Sequence, residues 1–213
     1  VNAGAWVFLL AAAVVAVGDW VAVVRRQKSL EYACKPLTIV LLLGVAATVD
    51  VDGGGAVRGW IVAALVLSML GDVWLMLPRD LFIPGLVSFL FAHLAYIAGL
   101  WADGVSFLGF AIGLAVAALA ALVVGGRVLR AVRAGDDPAM AVPVGAYMAV
   151  ISLMLASAFG TEEPLAMGGA ALFFCSDALI AWERFVTPRA WHSLAIIVTY
   201  HLAQAGLILS LVS

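Results

Sequence analysis

The sequence predicts an all-α integral membrane protein, a bundle of about eight transmembrane helices, and three observations carry that prediction. Of its 213 residues 66% are hydrophobic and only 11% are charged. Apolar stretches run to roughly 20 residues, the length a helix needs to cross the hydrocarbon core. Basic residues cluster between those stretches, in alternate loops. A soluble domain of this length could not bury so much apolar surface. A transmembrane β-barrel would show segments of about ten residues alternating apolar and polar, and runs such as 39–45 and 112–124 do not alternate.

The spans follow from the charged clusters that bound them. The first, 5–24, ends at Arg25 and Arg26 and has no basic residue before it, so it reads as a retained helix rather than a cleaved signal. The second, 34–49, opens on Lys35-Pro36, where proline suits a first helical turn. Spans 60–77 and 82–101 flank Arg79, and span 106–125 stops short of Arg127. Spans 139–159, 166–183 and 191–212 complete the set. Pro84 and Pro143 read as first-turn or kink residues. Short connections leave a single polytopic domain, 1–213, with no separate extramembrane unit.

Orientation comes from the basic residues. Arg25, Arg26, Lys28, Lys35, Arg79, Arg127, Arg130, Arg133, Arg184 and Arg189 lie in or beside the odd-numbered loops and leave Arg58 alone on the other side. The positive-inside rule makes the odd loops cytoplasmic, the loops around Gly54, Asp103 and Glu162 extracytoplasmic, and both termini extracytoplasmic. Trp6, Trp60 and Trp101 mark one interface, and Trp20, Trp74, Trp182 and Trp191 mark the other. The expected location is the cell membrane, with membrane lipid all around. The balance of 11 basic and 13 acidic residues carries no nucleic-acid footprint, and no obligate protein partner is legible. Cys34 and Cys175 read as small apolar fillers rather than a disulfide.

An ionisable side chain inside a span is costly and is a functional-site candidate by default. Asp19, Asp72 and Asp177 qualify, each about 5 to 8 residues from the basic end of its helix, roughly 7 to 12 Å deep at 1.5 Å per residue. Three acids at one depth point to one site. His93 and His201 lie deeper, near the midplane, while Lys35 can snorkel or turn toward the acids. Tyr96, Tyr147, Tyr200 and Gln204 add hydrogen-bonding groups. The pattern reads as a polar cavity open to the cytoplasm, with charge at its mouth and imidazoles at its floor. Structural readings stand beside these: Asp19 can simply pair with Arg25 or Lys35, and Asp72, Asp177 and the histidines can serve as interhelical hydrogen-bonding groups.

A weak parallel repeat is also visible. Gly18-Asp19-Trp20, Gly71-Asp72-Val73 and Ser176-Asp177-Ala178 recur on odd-numbered helices, and His93-Leu94-Ala95-Tyr96 is echoed by His201-Leu202-Ala203-Gln204. A small residue before each Asp lets a neighbouring helix approach closely.

These motifs occur in a recognisable order. The run Leu70-Gly71-Asp72-Val73-Trp74-Leu75-Met76 is followed by Phe82, Gly85, Phe89, Ala92-His93-Leu94 and Tyr96. Lys35-Pro36-Leu37, Ala146-Tyr147, the Gly169 to Asp177 stretch ending in Phe173-Phe174-Cys175-Ser176-Asp177, and Tyr200 with Gln204 complete the pattern. Over nearly the whole chain it resembles the YhhN family, which includes the TMEM86-type lysoplasmalogenases. The resemblance implies a membrane hydrolase that cleaves the vinyl ether of a lysoplasmalogen, or of a related lysophospholipid-like or ether-lipid substrate, to a fatty aldehyde and a glycerophosphoalcohol.

The residues suit that chemistry. Vinyl ether cleavage needs a carboxylic acid that keeps its proton near neutral pH, a second carboxylate to stabilise the resulting cation and activate water, and a head-group contact. Asp72 and Asp177 are the expected catalytic pair, with Asp72 foremost. Lys35 is the expected phosphate contact. His93, Tyr96, Tyr147, Tyr200, His201 and Gln204 line or orient the substrate site, and Asp19 is a supporting residue. No cofactor and no metal are called for. Two rivals share these residues: a zinc hydrolase using the two histidines and two aspartates, and a proton-coupled transporter or lipid-translocating protein. A receptor or scaffold has the least support.

Overall fold

A computed structural model describes residues 2–49 and 55–212. The loop around Gly54, expected to face outward, lies outside the described residues. The helices are α1 (Ala3–Val24), α2 (Lys28–Thr48), α3 (Gly55–Met76), α4 (Phe82–Asp103), α5 (Phe107–Ala120), α6 (Gly126–Ala134), α7 (Ala141–Gly160), α8 (Pro164–Phe185) and α9 (His192–Leu209). A five-residue π turn, Ala121–Gly125, joins α5 to α6, so the two form one continuous rod. Among the described residues there are therefore eight helical segments long and apolar enough to cross a membrane. The protein is a multi-pass membrane protein.

The side chains are arranged as lipid solvation demands. On α1, Val7, Leu10 and Val14 face outward while Ala5, Ala12, Ala16 and Asp19 are buried. Lipid is as apolar as leucine, so large aliphatic groups gain nothing by turning inward; close helix packing selects small residues and interhelical hydrogen bonds instead. Sequential helices pair as hairpins, α1 with α2, α3 with α4 and α8 with α9, while α5 and α4 pack on α7. Ser88 Oγ donates to the Leu67 carbonyl at 2.7 Å across the α3–α4 hairpin, and Ser176 Oγ donates to the Ile196 carbonyl at 3.1 Å across α8–α9. At the far end the Trp101 indole donates to Ser157 Oγ at 3.0 Å and ties α4 to α7.

Helices α8 and α9 approach closely at Gly169 and Gly206. A Cβ on Gly169 would lie 2.8 Å from the Leu207 backbone nitrogen and 3.0 Å from the Ala203 carbonyl oxygen. These are backbone atoms that cannot step aside. Gly169→Val is therefore expected to push α9 away from α8, lowering stability by about 1–3 kcal/mol as overpacking does. Thermal unfolding in detergent checks this, and an unchanged midpoint would show that the helices have room to separate.

Three expectations are revised by the helix ends. The α2 helix starts at Lys28 rather than 34, because Lys28 pairs with Glu31 at 2.8 Å one turn on and the helix continues above the apolar stretch. Pro36 consequently sits inside α2, not in its first turn. The fifth span does not stop at 125; α6 carries it to Ala134, with Val128 and Val132 buried on one face and Arg127 and Arg130 bonded back to carbonyls of the preceding turn. Hydropathy ends where charge begins, but backbone hydrogen bonding does not. Trp20, expected to mark an interface, turns its indole inward to a histidine.

Candidate functional site

The polar side chains converge because their helices present them at helical spacing. Ser68 and Asp72 share one face of α3, as do Phe89, His93 and Tyr96 on α4 and Tyr200 and Gln204 on α9. Asp72 is almost fully buried, and both of its oxygens are engaged. Oδ1 pairs with Lys35 Nζ at 2.9 Å, and Oδ2 accepts from the Tyr200 hydroxyl at 2.6 Å. The Lys35 side chain keeps 15% of its surface exposed, and its ammonium lies 5.7 Å from the centre of the Tyr200 ring.

Asp177 has a different set of partners. The Tyr147 hydroxyl donates to its Oδ2. His93 Nε2 lies 3.0 Å from the same oxygen and 2.9 Å from the Tyr147 hydroxyl. Both contacts fall on Oδ2, which leaves Oδ1 as the oxygen available to another molecule. The exchange between the two hairpins is crosswise: the aspartate of α3–α4 is bonded by α9, and the aspartate of α8–α9 is bonded by α4.

A third group surrounds Asp19. The Trp20 indole donates to His201 Nδ1 at 3.1 Å. An indole N–H can only donate, so Nδ1 accepts and the imidazole proton is on Nε2. That nitrogen faces Asp19 Oδ2 at 3.9 Å, beyond hydrogen-bond reach. Nearby, the Tyr96 hydroxyl donates to Gln204 Oε1.

Phe173 connects these groups. Its ring meets His93 edge-on at 4.8 Å and Tyr200 at 5.5 Å, and Phe89 stands 6.0 Å from Tyr200. Asp72 and Asp177 thus flank an aromatic layer, each with its own cation or imidazole and its own phenol. They are not hydrogen-bonded to each other. The structure brings Lys35, Asp72 and Tyr200 together, and His93, Tyr147 and Asp177 together, and places Asp19 with His201 in a third cluster.

Beside Asp177 lies a cleft between α4, the α5–α6 rod, α7 and α8. The expectation of a polar cavity does not describe it. Asp177, Tyr147 and Ser152 are its polar wall residues, and the remainder is apolar. Asp72 pairs with Lys35 and Tyr200, and Asp177 with Tyr147 and His93, in the packed interior rather than around a polar hollow. At the basic end, Phe82 and Phe185 close the slot edge-to-face at 5.7 Å, with the Arg184 guanidinium 4.0 Å over Phe82. Arg184 also binds both oxygens of Asp80, at 3.1 and 2.9 Å. That hydrogen bond and charge hold the Asp80 carboxyl below its ordinary range. The tie therefore persists through neutral pH and is lost as pH falls through the lowered value. Being exposed, it stabilises little.

Sequence reasoning named Trp20 as an interface tryptophan and Phe173 only within the family motif, and counted neither among the site residues. A tryptophan adjoining an intramembrane aspartate was the available signal for the first. Among the described residues no three His, Cys, Asp or Glu side chains are grouped to hold a metal ion.

A model of the YhhN family matches residues 30–211. The chain belongs to the YhhN family. Human lysoplasmalogenase TMEM86B is 33% identical over 181 residues, covering 83% of this chain and 73% of that protein. The rat protein of the same name is 34% identical over 183 residues, with 83% and 70% covered. Human lysoplasmalogenase TMEM86A is 34% identical over 163 residues, with 71% and 65% covered. No solved structure matches. The YhhN match includes Lys35, Asp72, His93, Tyr147, Asp177 and Tyr200, and it begins after Asp19 and Trp20.

Proposed function

We infer that this YhhN protein hydrolyses the vinyl ether of a lysoplasmalogen, or of a closely related one-chain ether lipid, by acid–base catalysis at Asp177. The observation that carries this reading is the pair of contacts on Asp177 Oδ2, which leaves Oδ1 for a molecule in an apolar cleft. The protonated carboxyl gives its proton to the carbon of the double bond farther from the ether oxygen. The oxocarbenium ion that forms is captured by water, which returns a proton to the carboxylate. The hemiacetal then collapses to a fatty aldehyde and a glycerophosphoalcohol, so one water is consumed and Asp177 is regenerated. Tyr147 and His93 hold the carboxylate through the charged interval.

Asp72 acts through Lys35. Its carboxylate fixes the ammonium, which retains further N–H groups for a phosphate oxygen. Tyr200 orients Asp72, while Tyr96, Gln204 and His201 set the surrounding frame, with Asp19 supporting His201.

Purified protein given lysoplasmalogen is expected to release aldehyde in detergent without any gradient, and to leave the saturated alkyl ether analogue intact. Hydrolysis of neither, with gradient-driven movement of lipid in vesicles, would favour a carrier instead.

The active site faces the cytoplasm in this account, because the ends bearing Arg79, Arg130 and Arg189 are the basic ones. A cysteine at position 103 should react with an impermeant reagent on intact cells and one at 130 should not. The reverse pattern would invert the topology.

A further inference from the structure

We propose that the cleft between α4, the α5–α6 rod, α7 and α8 holds the single hydrocarbon chain of the substrate, and that Ala121, Ala178 and Ala181 set the chain it accepts. The proposal rests on the hydrolase reading for the identity of the substrate. Its location rests on the cleft itself.

A space lined by apolar groups is a poor site for water, which needs two to four polar partners, and a good one for an apolar guest. In a bilayer the guest at hand is a lipid chain. The polar residues Asp177 and Tyr147 adjoin each other on facing helices. A chain lying in the slot therefore brings the bond at its polar end to Oδ1, the Asp177 oxygen that neither Tyr147 nor His93 occupies.

Two contacts tie α4 to α8 across the slot, which argues for one chain rather than two: Phe82 of α4 meets Phe185 of α8 at 5.7 Å near the basic end, and His93 of α4 meets Asp177 of α8 at 3.0 Å deeper in. The opposite wall is made by the π turn, which supplies Ala121, Val124 and Gly125. Such single-turn bulges reposition a helix face and recur at functional sites. Ala178 and Ala181, three residues apart on α8, face it with the least bulk a side chain can have.

The test is photocrosslinking of purified full-length protein in nanodiscs. The probe is 1-acyl lysophosphatidylcholine with a diazirine at the end of its chain, and labelled peptides are mapped by mass spectrometry. Label is expected on the α5–α6, α7 and α8 segments that line the cleft. Ala178→Phe, and separately Ala121→Phe from the opposite wall, should each reduce it at least tenfold in monodisperse protein and shift the preferred chain to shorter lengths. A two-chain phosphatidylcholine carrying the same diazirine should not label the cleft. Label confined to the outer, lipid-facing surfaces, or equal cleft labelling by the two-chain probe, would overturn the proposal. Cleft labelling in a protein that releases no aldehyde would keep the chain site and defeat the hydrolase reading instead.

Discussion

Asp177→Asn is expected to yield folded protein whose aldehyde release per molecule falls by roughly 10² or more, the scale of a lost general acid. The amide matches the carboxylate in shape, and its oxygen still accepts from Tyr147 and His93, so the packing around Phe173 has no reason to change. What disappears is the transferable proton beside the cleft. Tyr147→Phe should also slow turnover, because it removes one of the two groups that hold the carboxylate. The double variant should then cost much less than the product of the single effects, since members of one catalytic unit are not additive. Near-normal turnover in Asp177→Asn would make that residue an interhelical tie and nothing more.

The second large effect is on stability. Lys35→Ala removes the cation from a buried carboxylate and leaves Asp72 with the Tyr200 hydroxyl alone. Breaking a buried ion pair from one side typically costs about 3–5 kcal/mol, because the remaining charge has no compensation. That is a large share of a protein's total stability. Adding Asp72→Asn to Lys35→Ala should recover much of the loss, since the stranded charge is gone. The measurement is the thermal midpoint in detergent for both single variants and the double. If Lys35→Ala is as stable as the wild type, the pair is not the buried contact described, and Lys35 serves the head group alone.

Much of the fold was legible because lipid imposes one simple rule. A stretch of about 20 apolar residues must be helical, and the charged clusters separate such stretches cleanly, so eight spans could be counted. Their ends were less legible: Lys28 and Arg127 look like terminators in a hydropathy reading, yet both are carried by helix that continues beyond the apolar zone. The site residues were visible for a related reason, since Asp72, His93 and Asp177 are conspicuous in hydrocarbon-length segments. Which of them pair was not visible. Lys35 could reach any of three aspartates by depth, and its choice of Asp72 depends on the rotation and neighbours of α2, α3 and α9. The cleft left no trace in the sequence, because Leu86, Val144 and Ala178 are the same residue types that face lipid elsewhere.

Hydrolysis of lysoplasmalogen in D₂O reports whether a carboxylic acid protonates a vinyl ether carbon. The released aldehyde, trapped as it forms and corrected with added unlabelled aldehyde for exchange, should carry one deuterium on the carbon next to the carbonyl, and release should be slower than in H₂O. Aldehyde without that deuterium, or no aldehyde from folded protein, would contradict that step.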